Sequence, residues 1–401
     1  MDLRSGSPFW PVKDGLLHAH PPLDADVVCE VAVIGAGITG ALIAYHLGQA
    51  GVDTIVLDKR DVAHGSTAAS TALLQYELNV MLSELADKFG PRDASNVYLA
   101  CRRAVERLGE IATELRADIG YERRTSLYLA TSPRDVKLFR TEWELRRTLG
   151  FDLDLLGERD IAQRFSFARP AALLTHNAAQ VDPYAFAHAL LDAATRRDVR
   201  VYDRTDVVKM ETTNIGMTLR TAAGCTVRAR SVVFAQGYEA HSLIRKKVAR
   251  LVSTYAVVSE PVTSFNGWGE DRCLIWEHAR PYLYLRTTPD GRIIVGGEDE
   301  AISDPKRRDR RIEKKTRTLT SRFRELFPAI AFDVAYSWAG TFGEIRDGLA
   351  YIGRHMEWPH AYFALGYGGN GITFSVLAAE IIRDAVLGRP NDDAYLFRFD
   401  R

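Results

Sequence analysis

The residues whose spacing most directly implies chemistry are Gly35, Gly37, Gly40 and Asp58. The three glycines give G-x-G-x-x-G, with Ile38 and Thr39 inside it. In such a loop the first glycine makes a tight turn and the second lets backbone approach a pyrophosphate. The third lets a helix pack closely on a strand. An acid about twenty residues further on is placed to accept hydrogen bonds from a ribose diol. The chemistry this predicts is dinucleotide binding.

The flanking sequence supplies the elements that position these groups. Residues 27–34 are a short apolar, β-branched run that reads as a buried parallel strand. Ile38, Leu42, Tyr45 and Leu47 recur with helical spacing, Gly51 stops that helix, and 54–57 is a second strand ended by Asp58. The helix N-terminus offers free N–H groups and a positive dipole end to phosphates. Lys59 and Arg60 follow Asp58 and join the same candidate site. Whether the dinucleotide is FAD or NAD stays open on these residues alone.

Two further stretches carry small residues suited to close backbone approach. Residues 61–79 include Gly65, Ser66, Thr67, Ser70, Thr71 and Ala72, whose hydroxyls can bond to phosphate. Near the end, a strand over 361–365 leads into Gly366-Tyr-Gly-Gly369-Asn370-Gly371 and a helix beginning at Ile372 and Thr373. This is a second glycine-rich strand–turn–helix without the G-x-G-x-x-G order. Another strand, 231–235, ends at Ala235 and the turn residue Gly237. Tyr282, Tyr284 and Arg286 alternate along a strand and share one face, ahead of an Asp290-Gly291 hairpin signal.

The rest of the chain supplies scaffold. Helices are expected over 94–115, 136–149, 160–165 and 183–197, the last with Asp182 as N-cap and Pro183 at its first position. Short strands are expected over 121–131 and through 199–233. Residues 1–26, with four prolines around Phe9 and Trp10, read as an extended arm packed by its aromatics. Residues 305–327 are basic early on, above helically spaced Ile312, Leu319, Phe323 and Leu326, and read as a solvated helix face.

Composition excludes several classes. The 401 residues hold 52 basic and 52 acidic side chains, so no global field attracts nucleic acid or anionic lipid. No apolar run is long enough to span a bilayer, and the N-terminus lacks a secretory signal pattern. Four scattered cysteines suggest a reduced, cytoplasmic protein. No metal-ligand spacing and no Ser-His-Asp arrangement is evident.

Taken together, these segments resemble the D-amino-acid oxidase family of flavoproteins, the group with glycine oxidase, sarcosine oxidase and γ-glutamylputrescine oxidoreductase. The match rests on the N-terminal glycine motif with Asp58, on 65–71, on 233–237, and on 347–353 with 366–371. The resemblance implies an α/β fold: a Rossmann-type FAD-binding domain interleaved with an α+β substrate domain built on an antiparallel sheet. The former would take 1–80, 181–245 and 336–401, the latter 81–180 and 246–335. It implies noncovalent FAD, because no cysteine stands near Ala339 and Gly340. Gly35, Gly37 and Gly40 would cradle the pyrophosphate, Ser66 and Thr67 would lie along the phosphates and flavin, and Val207 would meet adenine. Gly348 and the run from Gly369 to Thr373 would lie at the flavin.

The implied reaction is oxidation of a C–N bond of an amine or amino acid, by hydride transfer to flavin N5, giving an imine that hydrolyses. Electrons would pass to oxygen, a quinone or a protein. The arginine that grips a substrate carboxylate in glycine oxidase is replaced here by Phe342, with Arg346 nearby. That shifts the expected substrate toward an amine or a larger amino compound. Tyr284, Arg286 and Arg346 are the candidate catalytic contacts, with Tyr282, Phe342 and Glu344 as further candidates. Competing readings are a flavin-dependent 2-hydroxy acid or alcohol dehydrogenase, and an electron-transfer subunit of a hetero-oligomer.

Overall fold

The computed structural model describes residues 3–269 and 271–401. Strand Val27–Ile34 lies inside the first sheet, between parallel neighbours Thr54–Leu57 and Thr226–Phe234. Val31, Ala32 and Val33 are fully buried. One face of the strand packs on helices and the other on the meander and edge strands, and a parallel strand buried on both faces needs such an unbroken apolar run. The strand order is Tyr351–His355, Trp358–Leu365, Thr226–Phe234, Val27–Ile34, Thr54–Leu57, Arg200–Tyr202. Only the edge pair Tyr351–His355 with Trp358–Leu365 is antiparallel along this path. Strands Val207–Thr212 and Met217–Thr221 form the expected meander leading into Thr226–Phe234.

Helix Ile38–Gln49 packs against both Pro183–Thr195 and Gly371–Val386 beside this sheet. The Asp182 carboxylate accepts from the backbone N–H of Tyr184 and Ala185, both at 3.0 Å, so the expected N-cap forms. Thr39 and Ser375 pair through their hydroxyls at 2.8 Å. That contact sets the first turns of two helices side by side, at the end of the sheet where doubly wound folds bind ligands.

The second sheet has ten strands among the described residues. Its central order is Val334–Glu344, Arg250–Ser259, Ile293–Glu300, Leu283–Thr287, Leu274–Glu277, Glu122–Leu129, Ala171–Gln180. All these pairs are antiparallel except Leu274–Glu277 with Glu122–Leu129. Helix Ile312–Leu326 covers one face, where Trp268 stacks on Phe327 with ring centroids 4.5 Å apart. The long helix Pro91–Leu115 buries Val97, Cys101, Ala104, Leu108 and Ile111, the stripe its periodicity predicts.

Three expectations change. The boundaries near 80 and 335 do not follow the sheets, because Arg4–Gly6, Leu73–Gln75 and Val334–Glu344 all belong to the second one. Val334–Glu344, which overlaps the range 336–401 expected for the FAD-binding domain, pairs along Arg250–Ser259. Second, the N-terminal arm is not wholly extended: Phe9–Asp14 is a short helix, Phe9 and Trp10 are buried, and Trp10 Nε1 donates to Ser70 O at 2.7 Å. Third, the basic segment is two helices, Pro305–Asp309 and Ile312–Leu326, and not all of its cations face water. Arg308 is buried and donates to Thr341 Oγ1 at 2.9 Å, while Lys315 lies 3.2 Å from both Glu298 and Glu300.

Candidate active site

The cavity begins at the first glycine loop. Gly35 has φ +109°, and a Cβ there would lie 2.6 Å from Ala235 O, so no other residue fits. A Cβ on Gly40 would come within 1.8 Å of Gly35 O, which is the close helix–strand approach the motif predicts. Gly40 therefore acts beneath the cavity and does not line it. Gly35, Gly37, Ile38 and Thr39 do line it. The Ile38 N–H donates to Thr67 Oγ1 at 2.9 Å, tying the second small-residue stretch to the helix N-terminus.

Asp58 accepts from the backbone N–H of Ala36 at 2.7 Å and of Arg60 at 2.8 Å. Burial pushes its carboxyl up, and these two N–H groups oppose the shift. Lys59 and Arg60 are held by Glu239, at 3.0 and 2.9 Å. Burial opposes ionisation of Glu239, but its bonds to Arg60 and Lys59 hold it at about 2. Val207 also lines this end. The arrangement is a fixed carboxylate beside two tethered cations, suited to a ribose and phosphates.

The walls continue through Gly65, Ser66, Thr67, Thr71 and Ala72 on one side. Ala235, Gly237, Gly369, Asn370, Gly371 and Ile372 continue them on another. The N-terminus of Gly371–Val386 thus meets the same cavity as that of Ile38–Gln49. Asn370 Nδ2 donates to Glu77 O at 2.7 Å, and Thr373 Oγ1 to Gln75 O at 2.9 Å. Thr373 lies one layer behind the wall. Gly348 is not at the cavity either: it turns with φ +78° against Val80.

The second sheet closes the far end with Tyr284, Thr254, Trp276, Tyr282 and Asp299. Tyr284 is where its alternation places it, its ring lying over Gly296, where a Cβ would meet it at 2.2 Å. Burial pushes its phenol up to about 12. Arg286 shares that strand face but points deeper and does not reach the cavity. Its Nη1 donates to the carbonyls of Thr71 (3.0 Å), Ala72 (3.0 Å) and Val181 (2.8 Å). Desolvation lowers its pKa to about 9. It is a positioning residue for the loop at 71–72, and the expectation of a substrate contact is corrected. Arg346 is exposed in the turn after Val334–Glu344 and also lies outside the lining, whereas Phe342 lines it.

Sequence reasoning missed Asp299, Thr254, Trp276, Gln75, Glu77 and Asn79. Glu77 is fully buried beside Arg146, and burial raises its pKa. Asp299 was hidden by a register shift. Tyr255 pairs with Gly297 and Ser253 with Glu300, so Glu298 and Asp299 both stand opposite Thr254. Because Gly296 faces the Tyr284 ring, strict alternation would send Glu298 into the cavity. The extra residue turns Asp299 inward, and Glu298 faces Lys315 and Arg322 instead.

A largely parallel sheet with two helix N-termini on one crevice, roofed by a mostly antiparallel sheet, has the geometry of a dinucleotide-binding site. A family model described as FAD dependent oxidoreductase matches residues 30–385, and the chain belongs to that family. A glycine oxidase of Bacillus licheniformis is 28% identical over 90% of this chain and 94% of its own. The γ-glutamylputrescine oxidoreductase of Escherichia coli is 24% identical over 91% of this chain and 85% of its own. The crystal structure of glycine oxidase from Geobacillus kaustophilus superposes with a TM-score of 0.77 at 22% identity, covering 91% of this chain and 96% of that one.

The residues present fit FAD. Glycine backbone, two helix N-termini and Asp58 supply pyrophosphate and ribose contacts. The buried hydroxyls of Ser66 and Tyr367, both on the cavity wall, have no hydrogen-bond partner within the described residues. Buried polar atoms left this way are costly unless a ligand completes them. The protein is accordingly an FAD-dependent oxidoreductase.

Proposed function

We propose that the protein oxidises the C–N bond of an amine or amino acid, releasing an imine that water hydrolyses. The observation that carries this is the roof of the cavity: Trp276, Tyr282 and Tyr284 beside the unpartnered carboxylate oxygen of Asp299. Aromatic faces and one acid suit a nitrogen cation on a short carbon chain. The names of the relatives, glycine oxidase and γ-glutamylputrescine oxidoreductase, support the same class.

Bound FAD would supply the two-electron acceptor for this chemistry. The protein's part is binding, orientation and charge. Gly35, Gly37, Ile38, Asp58, Ser66 and Thr67 would hold the cofactor, and the N-terminus of Gly371–Val386 would stabilise the negative charge that reduction brings. Tyr284 and Trp276 would exclude water from the reacting carbon. No cysteine lines the cavity, which favours noncovalent binding. The second sheet would serve as the substrate domain. Oxygen or a quinone would reoxidise the enzyme, and four unpaired cysteines fit a cytoplasmic location. No helix of the described residues is long and apolar enough to cross a membrane.

A 2-hydroxy acid would need a carboxylate clamp. The cationic side chains lining the cavity are Lys59 and Arg60, both at the Asp58 end, which disfavours that substrate. The test is an anaerobic visible titration of the holoprotein with amines, amino acids and hydroxy acids. Bleaching of the flavin band by an amine or amino acid is expected. Bleaching by a hydroxy acid alone would overturn the reading.

A further inference from the structure

We infer that Asp299 is the recognition group for the positively charged nitrogen of the substrate, and that the substrate is an amine with no carboxylate beside that nitrogen. The inference rests on the proposed amine oxidation and narrows it. Three observations carry it.

The first is placement. The register shift opposite Thr254 turns Asp299 out of the strand's alternation and into the cavity. Bulges are used in this way to aim a side chain at a site. Its neighbours Glu298 and Glu300 face the covering helix, where Lys315 and Arg322 pair with Glu298, and Lys315 and Arg311 with Glu300.

The second is the missing partner. Asp299 Oδ1 is buried without a hydrogen bond within the described residues. A carboxylate left so is expensive unless a cation or donor completes it. Burial raises its pKa to about 6, with Thr254 and Arg280 opposing the shift and Glu344 adding to it. An arriving ammonium would supply what the protein withholds.

The third is the charge of the roof. Around Asp299 the lining is Thr254, Trp276, Tyr282, Tyr284 and Phe342, with no lysine or arginine among them. Arg280 is the cation nearest to a counter-argument. It is exposed and stacks over the Tyr282 ring, 3.4 Å from its centroid, and does not line the cavity. A carboxylate on the substrate would therefore meet Asp299 without a clamp, at the repulsive cost of like charges in a desolvated site.

The experiment separates binding from turnover by using ligands that lack an α-hydrogen or cannot be oxidised. The FAD-loaded protein is titrated with tert-butylammonium, guanidinium, acetate and 2-aminoisobutyrate, following the flavin spectrum and binding heat. Expected is binding of tert-butylammonium or guanidinium, weakened at least about tenfold by Asp299→Asn and partly restored by Asp299→Glu, as a lost charge-assisted hydrogen bond requires. FAD content and thermal midpoint of Asp299→Asn should not fall. Failure of both cations to bind, or unchanged affinity in Asp299→Asn, would overturn the inference. So would tighter binding of acetate or 2-aminoisobutyrate that disappears in Arg280→Ala. If no amine or amino acid bleaches the flavin, the proposed reaction fails, and these titrations still decide the role of Asp299.

Discussion

Replacing Arg286 with methionine removes the donors that hold the cavity loop while keeping most of the side-chain volume. Its guanidinium is fully buried and joins three separate pieces of chain: the loop at 71–72, the residue before the Pro183–Thr195 cap, and its own strand through Thr287 O. In Arg286→Met the carbonyls of Thr71, Ala72 and Val181 lose their shared donor. At about 1–2 kcal/mol for each buried acceptor left bare, the loss is about 3–6 kcal/mol. Relief of the buried charge offsets part of it, since desolvation already destabilises the cation. Ala72 adds a local reason, because it sits at φ +53°, a conformation alanine holds only under constraint. The thermal midpoint of the FAD-loaded variant should fall by roughly 3–7 °C, and FAD should dissociate more readily. Differential scanning calorimetry and flavin release on filtration measure both. An unchanged midpoint with full FAD retention and a raised substrate KM would refute the reasoning and return Arg286 to the substrate site.

Other consequences are equally direct. Gly37→Ala should keep the fold and lose FAD, because its Cβ meets only Thr67 Oγ1 at 3.0 Å, whereas Gly40→Ala should fail to fold, its Cβ lying 1.8 Å from backbone; circular dichroism with flavin absorbance separates the two outcomes. Thr67→Val leaves the Ile38 N–H without its 2.9 Å acceptor and should weaken FAD binding by about 1 kcal/mol, measured by titration of the apoprotein. Asp299 gives a pH signature. Its folded pKa, about 6, lies above its ordinary 3.8, so the folded state holds the proton more tightly. Stability from this group therefore falls as pH rises from about 4 to about 6 and is level above that. Asp299→Asn should remove that slope and be more stable at pH 7 by about 1–2 kcal/mol, allowing for partial exposure. A variant less stable at pH 7 than the parent would show that Asp299 has a protein partner.

The nucleotide half of the site was legible because its signals are local. Gly35, Gly37, Gly40 and Asp58 are set by a turn, a close packing and a strand end within thirty residues, and each sits on or under the cavity wall. The second half depends on pairings between distant segments. Alternation correctly put Tyr284 and Arg286 on one face, but a face does not give depth, and Arg286 is claimed by backbone carbonyls from two other segments. Asp299 was invisible for the opposite reason: the alternation that found Tyr284 fails across the register shift at Gly297–Glu300. Arg346 was chosen for its nearness in sequence to Phe342, which stands where glycine oxidase has its carboxylate-gripping arginine, yet the chain turns there and leaves it exposed. The pairing of strand Val334–Glu344 with Arg250–Ser259 was not legible because the partner lies far upstream.

The most direct test of the central claim follows the carbon–hydrogen bond itself. The amine that bleaches the flavin anaerobically is compared with its α-deuterated form in a single turnover, and the products are assayed. Slower bleaching of the deuterated amine, with a carbonyl compound and a released amine or ammonia formed in proportion to flavin reduced, is the predicted result. Bleaching without any cleaved C–N product would contradict the account.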